Sequence, residues 1–354
     1  MLVRMALIGF GNVGQEFARM LLERRDWLQN AASLDVRIVA IATRSHGSLI
    51  RRDGLDLDRV LGSLERTGRL GPEEECVDAG PMAIVDDSGA DIVVELTPLN
   101  IENGQPAVNH ISESLLHGKH VITANKGPIA FAYRTLSSLA KSNGLEFRFE
   151  GTVMDGTPVF NLVERTLPGC QVLSIRGILN STSNFVIDEM CKGSTRDAAI
   201  AEAQRLGFAE ADPSLDIDGW DAATKITALA NVLMGAGANP RSVSRRGIGD
   251  LASDDLMSSV DRGFKIRLVA EARRTADGIE LSVAPEEISP DDLFWPVDGT
   301  SSAITLETDL MGKLTLFETD PVITQTAYAV FSDMLTIAET IRRCSVSRPT
   351  ALQG

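Results

Sequence analysis

Residues 3–9 form a buried-strand run that passes directly into GFGNVG, and a helix is expected to follow over residues 15–22. Gly9, Gly11 and Gly14 therefore make a G-x-G-x-x-G spacing with a strand before it and a helix after it. Nothing else in the chain limits the fold as tightly. The first glycine permits the tight turn, the second lets backbone approach a pyrophosphate, and the third lets the helix pack on its strand. A pyrophosphate placed beside Asn12 and Val13 would meet the outward N–H groups of a helix N-terminus. The expectation is an α/β chain whose residues 1–145 form a Rossmann-type parallel-sheet domain for a nicotinamide dinucleotide.

The rest of this half fits that frame. A second strand is expected over 36–42 with Arg44 just beyond its tip. An acidic residue there would hold a ribose 2′-hydroxyl, whereas an arginine suits a 2′-phosphate. NADP is therefore the expected cofactor, with NAD as the alternative. A weak strand is read at 84–85 and a strong one at 91–96, ending in Thr97 and Pro98. A helix over 107–116 and a strand over 120–123 lead to Asn125 and Lys126. Ligands bind beyond the carboxyl ends of parallel strands, so Thr97, Pro98, Asn125 and Lys126 are expected near the nicotinamide. Lys-Gly-Pro at 126–128 also suits plain turn punctuation.

Bulk properties exclude several classes. A net charge of −15 argues against nucleic-acid or anionic-membrane partners. That acidity is spread along the chain, notably at 73–75 and 86–87. Cys76, Cys170, Cys191 and Cys344 are scattered without a C-x-x-C, so a zinc site or disulfide framework is not expected and a reducing cytoplasm is. The apolar N-terminus reads as a first strand, not a signal peptide, and no stretch reaches membrane-spanning length.

From residue 147 the pattern changes. Helices are expected over 161–167 and up to 190, and strands over 172–179, 279–283 and 304–308, the last two alternating as in an antiparallel sheet. Residues 206–225 read LGFAEADPSLDIDGWDAATK, with Asp221 and Lys225 one turn apart at the start of a helix over 220–235. Alone, this fits a solvated acidic loop with a surface ion pair of ~0.2–0.5 kcal/mol. The following Ile226, Leu229, Ala230, Val232 and Leu233 point to a buried helix, and a lysine buried there needs a partner. Residues 146–320 are expected to form an α+β substrate domain. Residues 321–354, with a helix over 324–343, are expected to return to the first domain.

In this order and spacing, GFGNVG, ELTPLNIENGQPA, GKHVITANKGPIA, FEGTVMDGTPV, GILNSTSNFV and LGFAEADPSLDIDGWDAATKI closely resemble homoserine dehydrogenase. The resemblance is dense over 1–235 and looser beyond, and the length matches the short form without a C-terminal regulatory domain. It implies NADP-dependent interconversion of L-homoserine and L-aspartate 4-semialdehyde by hydride transfer, in threonine and methionine biosynthesis. It also implies a homodimer formed through the second domain. Glu210 matches the ligand of the substrate ammonium, Asp216 a second contact, and Asp221 with Lys225 the catalytic pair. Lys126 competes with Lys225 as the acid/base group. Asn180, Ser181 and Thr182 match a turn lining the substrate pocket, with Ser181 where glycine is common. Backbone carbonyls of Glu150, Val153, Asp155 and Thr157 match the holders of a monovalent cation such as sodium, with Asp155 replacing a small residue. FETDPVITQ at 317–325 replaces a glycine-rich G-x-GAG segment, so a weaker cofactor grip or a different substrate is expected there. The alternatives are a dehydrogenase of another small amino or hydroxy acid, or a non-catalytic NAD(P)-binding regulator. Retention of both Lys126 and Lys225 argues against the regulator.

Overall fold

Six strands build the first sheet: β1 (Leu2–Ile8), β2 (Asp35–Ala42), β3 (Ser48–Ile50), β4 (Ile92–Glu95), β5 (His120–Thr123) and β6 (Phe147–Arg148). In this computed structural model their order is β3-β2-β1-β4-β5-β6, with β3 antiparallel to β2 and every other pair parallel. The structure describes residues 1–346 apart from Glu73, Glu74, Asp78, Ala79 and Phe208. Part of the acidic run at 73–75, Phe208 of the acidic segment, and 347–354 lie outside the described residues.

β4 is buried along its whole length, as a central parallel strand covered on both faces must be. One face packs Phe17 and Leu21 of the helix Asn12–Glu23 against Val330, Met334 and Ile337 of the last helix, Ile323–Val346. That helix belongs to the first compact unit, which comprises Met1–Pro128, Arg134–Gly156 and Ile323–Gly354. Residues 146–156 cluster with this unit as well, and the chain divides at 156 and 322. The other face buries Ile84 and Val85 beneath Val39 and Val93. Ile84 and Val85 are helical, not the weak strand their apolar character suggests. Pro81 opens the helix Pro81–Ser88 and Gly89, at φ 69°, ends it in the left-handed region.

Sheet order reverses at β1, whose neighbours are β2 on one side and β4 on the other. Such a switch point leaves a crevice beyond the carboxyl ends of the strands, where ligands bind. That crevice is where GFGNVG, Thr97 and Asn125 emerge.

The second unit, Ile129–Tyr133 with Thr157–Val322, holds β7 (Val172–Ile178), β8 (Ser244–Arg245), β9 (Lys265–Thr275), β10 (Gly278–Ile288), β11 (Ser302–Thr308) and β12 (Gly312–Glu318). Their order is β12-β11-β7-β9-β10-β8, antiparallel except for short β8 beside β10. The helix Trp220–Leu233 packs on β9 and β10 and is buried along most of its length, as its apolar run predicts. No helix among the described residues is long and apolar enough to cross a membrane.

Candidate active site

In the first unit the three glycines do three different things. Gly9 has φ +96°, and a Cβ there would lie 2.7 Å from the Leu96 carbonyl oxygen. At Gly14 a Cβ would press on the Phe10 ring at 3.2 Å, so this glycine sets the helix against its strand. A Cβ on Gly11 would meet nothing within 4 Å. Gly11 is also the N-cap of Asn12–Glu23, which has no side-chain cap and no acidic residue in its first turn. Open space beside Gly11 and an uncapped first turn without an acidic residue suit a dinucleotide pyrophosphate. Asn12 and Val13 form that first turn.

Arg44 stands exposed on the bend between β2 and β3 and makes no hydrogen bond or ion pair among the described residues. The bend is shaped beneath it by Thr43, whose hydroxyl donates to the Gly47 carbonyl at 2.6 Å and accepts from the His46 N–H at 2.9 Å.

The tips of β4 and β5 are tied together by polar groups. Asn125 caps the helix Lys126–Ser142 by accepting from the Gly127 N–H at 3.0 Å. Its amide donates to the carbonyls of Thr97 and Pro98 at 2.9 and 3.3 Å. Asn125 therefore pins the Thr97–Pro98 loop to that helix, and half-buried Lys126 projects from the first turn. Beneath the loop lies Glu95, with a side chain 0% exposed. Its carboxylate accepts from the Thr97 N–H at 3.1 Å, the Thr97 hydroxyl, and the Thr123 hydroxyl at 3.3 Å, and lies 3.6 Å from His110 Nδ1. Burying a carboxylate costs several kcal/mol unless it is bonded this way. Sequence reading passed over Glu95, although a lone acid closing a run of buried valines is the signal that marks it.

Residues 150–156 pack on the first half of the last helix. The Glu150 N–H donates to Asp333 at 2.9 Å, and the Thr326 hydroxyl donates to Asp155 at 2.9 Å. Asp155 adopts φ 44°, and at Gly156 a Cβ would lie 2.4 Å from the Gln325 carbonyl oxygen. The carboxylate introduced at 155 is thus used in anchoring the last helix. Glu150, Val153 and Asp155 belong to the first unit, whereas Thr157 belongs to the second and its carbonyl accepts the Val159 N–H at 2.8 Å.

The second unit brings together most of the residues expected to meet substrate. Lys225 Nζ lies 3.0 Å from Asp221 Oδ2 and donates to the Leu179 carbonyl at 2.6 Å. The Asn180 amide donates to Asp216 at 2.6 Å and to Asp221 at 2.9 Å, while its carbonyl oxygen caps the helix Ser181–Cys191 through the Ser183 N–H at 2.8 Å. One amide thus joins both carboxylates to a helix start. Burial pushes the Asp216 carboxyl above its ordinary range and the Asp221 charge adds to this, while hydrogen bonds from Asn180 and Thr182 and the Lys225 charge partly offset it. The ion pair is mostly buried, with side-chain exposures of 17% and 12%, so it is not the surface pair that spacing alone allows.

Glu210 is not brought into this cluster. Its side chain is exposed, and its contacts are through its carbonyl, which accepts from Gln204 at 3.0 Å. Ser181 points its hydroxyl to the Thr300 carbonyl at 2.8 Å. In the segment replacing the glycine-rich pattern, Asp320 takes the left-handed turn itself at φ 45°.

A doubly sided parallel sheet with an open glycine cradle, joined to a unit carrying a buried carboxylate–lysine cluster, defines a two-unit dinucleotide-dependent enzyme. The family profile described as "Homoserine dehydrogenase, NAD binding domain" matches residues 9–150, and that described as "Homoserine dehydrogenase" matches 158–335. The homoserine dehydrogenase of Methanocaldococcus jannaschii is 38% identical over 339 residues, 95% of this chain and 99% of that protein. The NAD(+)-dependent homoserine dehydrogenase of Pseudomonas canavaninivorans is 36% identical over 96% of this chain and 97% of its own length. Among solved structures, a hyperthermophilic archaeal homoserine dehydrogenase in complex with NADPH superposes with a TM-score of 0.81 at 30% identity, covering 96% of this chain and 98% of that one. The chain belongs to the homoserine dehydrogenase family of NAD(P)-dependent oxidoreductases.

Proposed function

We propose that the chain is an NADP-linked homoserine dehydrogenase that interconverts L-homoserine and L-aspartate 4-semialdehyde, serving threonine and methionine biosynthesis. The observation that carries this reading is the Asn180–Asp216–Asp221–Lys225 cluster. When bound, the nicotinamide supplies or accepts the hydride. Lys225 handles the proton: its ammonium donates to the alkoxide oxygen formed on aldehyde reduction, and its neutral amine takes the hydroxyl proton in reverse. Asp221, 3.0 Å away, holds the ammonium in place. Lys126, in the first turn after Asn125, is the second candidate for that proton. Asp216 offers a carboxylate to the substrate ammonium, and exposed Glu210 is the further ammonium ligand that the family pattern suggests.

Several observations support the finer parts. Exposed Arg44 beyond β2 suits a 2′-phosphate, and a relative is solved with NADPH. NAD is the alternative, since a relative of similar identity is named NAD(+)-dependent. Exchanging Arg44 for Asp shifts the ratio of kcat/KM for NADPH over NADH toward NADH by at least tenfold, the loss of about one charge-assisted contact. An unchanged ratio would remove Arg44 from the account. The carbonyls of Glu150, Val153 and Asp155 are hard oxygen donors of the kind sodium takes, with Asp155 turned by its positive φ. One face of the second sheet carries Arg176, Arg273 and Lys313 among Glu271, Asp292 and Glu307 around a concavity of about 550 Å³. A homodimer built through this sheet is what the family resemblance implies. All four cysteines are free, in keeping with a reducing cytoplasm.

The test is L-aspartate 4-semialdehyde-dependent oxidation of NADPH and of NADH by the purified protein. Turnover with other small aldehydes but not this one would move the reading to another hydroxy-acid dehydrogenase. Cofactor binding with no turnover on any would make the chain a regulator.

A further inference from the structure

We propose that Ser181, Thr300 and Asp320 form a polar strut that positions the Asn180 amide, making Asp320 a positioning residue for a site it does not touch. The proposal rests on reading the Asn180–Asp216–Asp221–Lys225 cluster as the substrate site.

Asp320 holds φ 45°, a conformation L side chains rarely adopt and one that persists where the surroundings impose it. Here they do. The Asp320 N–H donates to the Ser301 hydroxyl at 3.4 Å, and its carboxylate accepts from the Thr300 hydroxyl at 3.3 Å. Thr300 and Ser301 sit in a turn closed by the Ser301 N–H on the Asp298 carbonyl at 3.2 Å. On its other side the turn is bound to the helix Ser181–Cys191 at three points. The Ser181 hydroxyl donates to the Thr300 carbonyl at 2.8 Å, the Asn184 amide to the Ser301 carbonyl at 3.4 Å, and the Gly299 N–H to Asp188 at 3.0 Å.

Thr300 is therefore bonded on both sides, its carbonyl accepting from the Ser181 hydroxyl and its own hydroxyl donating to Asp320. Ser181 follows Asn180, the residue whose amide holds Asp216 and Asp221 at 2.6 and 2.9 Å. Bonds that short leave no slack, so a displacement of Ser181 reaches both carboxylates and, through Asp221, the lysine. The sequence marks Ser181, which stands where glycine is common, and separately the segment 317–325, which replaces a glycine-rich pattern and contains Asp320. The structure places Ser181 and Asp320 at the two ends of one chain of hydrogen bonds.

Because Asp320 is exposed, its role in positioning separates from any role in folding. Asp320→Gly removes the carboxylate while relieving the backbone, since glycine adopts this φ freely. The expected result is an unchanged or raised Tm, unchanged cofactor Kd, and a kcat/KM for L-homoserine about fivefold to tenfold lower, the loss of one hydrogen bond's worth of order. Asp320→Asn keeps an acceptor and tolerates the left-handed region, so it restores most of the activity. Ser181→Ala produces a similar loss, and the Ser181→Ala/Asp320→Gly double variant loses less than the product of the two. Wild-type homoserine kinetics in Asp320→Gly, a lowered Tm accompanying its loss, or a fully multiplicative double variant would each overturn the strut. Asp221→Asn serves as the control. If it abolishes turnover while Asp320→Gly behaves as wild type, only the strut fails; if it retains turnover, the reading of the site fails first.

Discussion

Alanine at Gly9 and at Gly11 separates the folding role of the glycine turn from its binding role. At Gly9 the added Cβ lies 2.7 Å from the Leu96 oxygen and 2.8 Å from the Leu96 carbon, both backbone atoms that move only with β4. The φ of +96° adds a conformational cost of about 1–2 kcal/mol, and the forced contact about 1–3 kcal/mol more. Together these are about 2–5 kcal/mol, and with roughly 2–4 °C of Tm per kcal/mol for a unit of this size Gly9→Ala lowers Tm by about 4–20 °C. At Gly11 the same methyl group meets nothing within 4 Å, and φ −77° suits any residue. Its cost to folding is the difference between glycine and alanine at an N-cap, under about 1 kcal/mol. If a pyrophosphate approaches the Gly11 backbone, the methyl stands in its way, and losing one hydrogen bond to a charged phosphate costs about 1.5–3 kcal/mol, or roughly 10–150-fold in cofactor Kd. Differential scanning fluorimetry gives the Tm values, and quenching of NADPH fluorescence gives Kd. Unchanged cofactor affinity in Gly11→Ala, or a native Tm in Gly9→Ala, would refute the assignment of these two glycines.

Other consequences follow from the second unit. Asp216 has its carboxyl pKa raised in the fold, chiefly by burial, so ionising it costs stability that grows as pH rises from about 4 through the raised value. Asp216→Asn is therefore more stable than wild type at pH 7, with the advantage shrinking toward pH 4; urea unfolding across that range showing a constant or reversed difference would contradict the assignment. Arg267 is 1% exposed and bonds Asp188 at 2.9 Å, Asp298 at 2.6 Å and the Val297 carbonyl at 2.9 Å. Arg267→Met removes the guanidinium from Asp188 and Asp298 and loosens the loop ending at Thr300, at a cost of about 3 kcal/mol, the lower end for a broken buried pair because both aspartates keep contact with water. A change below about 1 kcal/mol in urea denaturation would show the pair to be dispensable.

Much of the first unit was legible because its elements obey local rules. The helix Ala107–Leu116 and the strand His120–Thr123 appear where pattern and punctuation place them. Ile84 and Val85 misled because two apolar residues look alike in a strand or a helix, and only Pro81 and Gly89 decide. The helix Lys126–Ser142 was hidden behind Asn-Lys-Gly-Pro, which reads as a turn until Asn125 is seen to cap it. β9 was missed because KIRLVAEARRT carries charges along its length, and only its pairing with β7 and β10 explains where they go. In the site, Asp221 and Lys225 could be paired from spacing alone. The junction at Asn180 could not, since its amide reaches carboxylates 36 and 41 residues away. Glu210 matches the family pattern by position, and in the structure its side chain is exposed while its carbonyl accepts from Gln204.

Lys225, held by Asp221 and the Leu179 carbonyl, is the group proposed to move the proton in homoserine oxidation. The most direct measurement is kcat/KM for L-homoserine in Lys225→Ala beside the wild type, at saturating cofactor, with cofactor Kd determined separately. The account predicts a fall of roughly 10²–10⁴-fold with cofactor Kd unchanged, the loss of a positioned acid–base group. A Lys225→Ala rate within tenfold of wild type would contradict it and move the proton to Lys126.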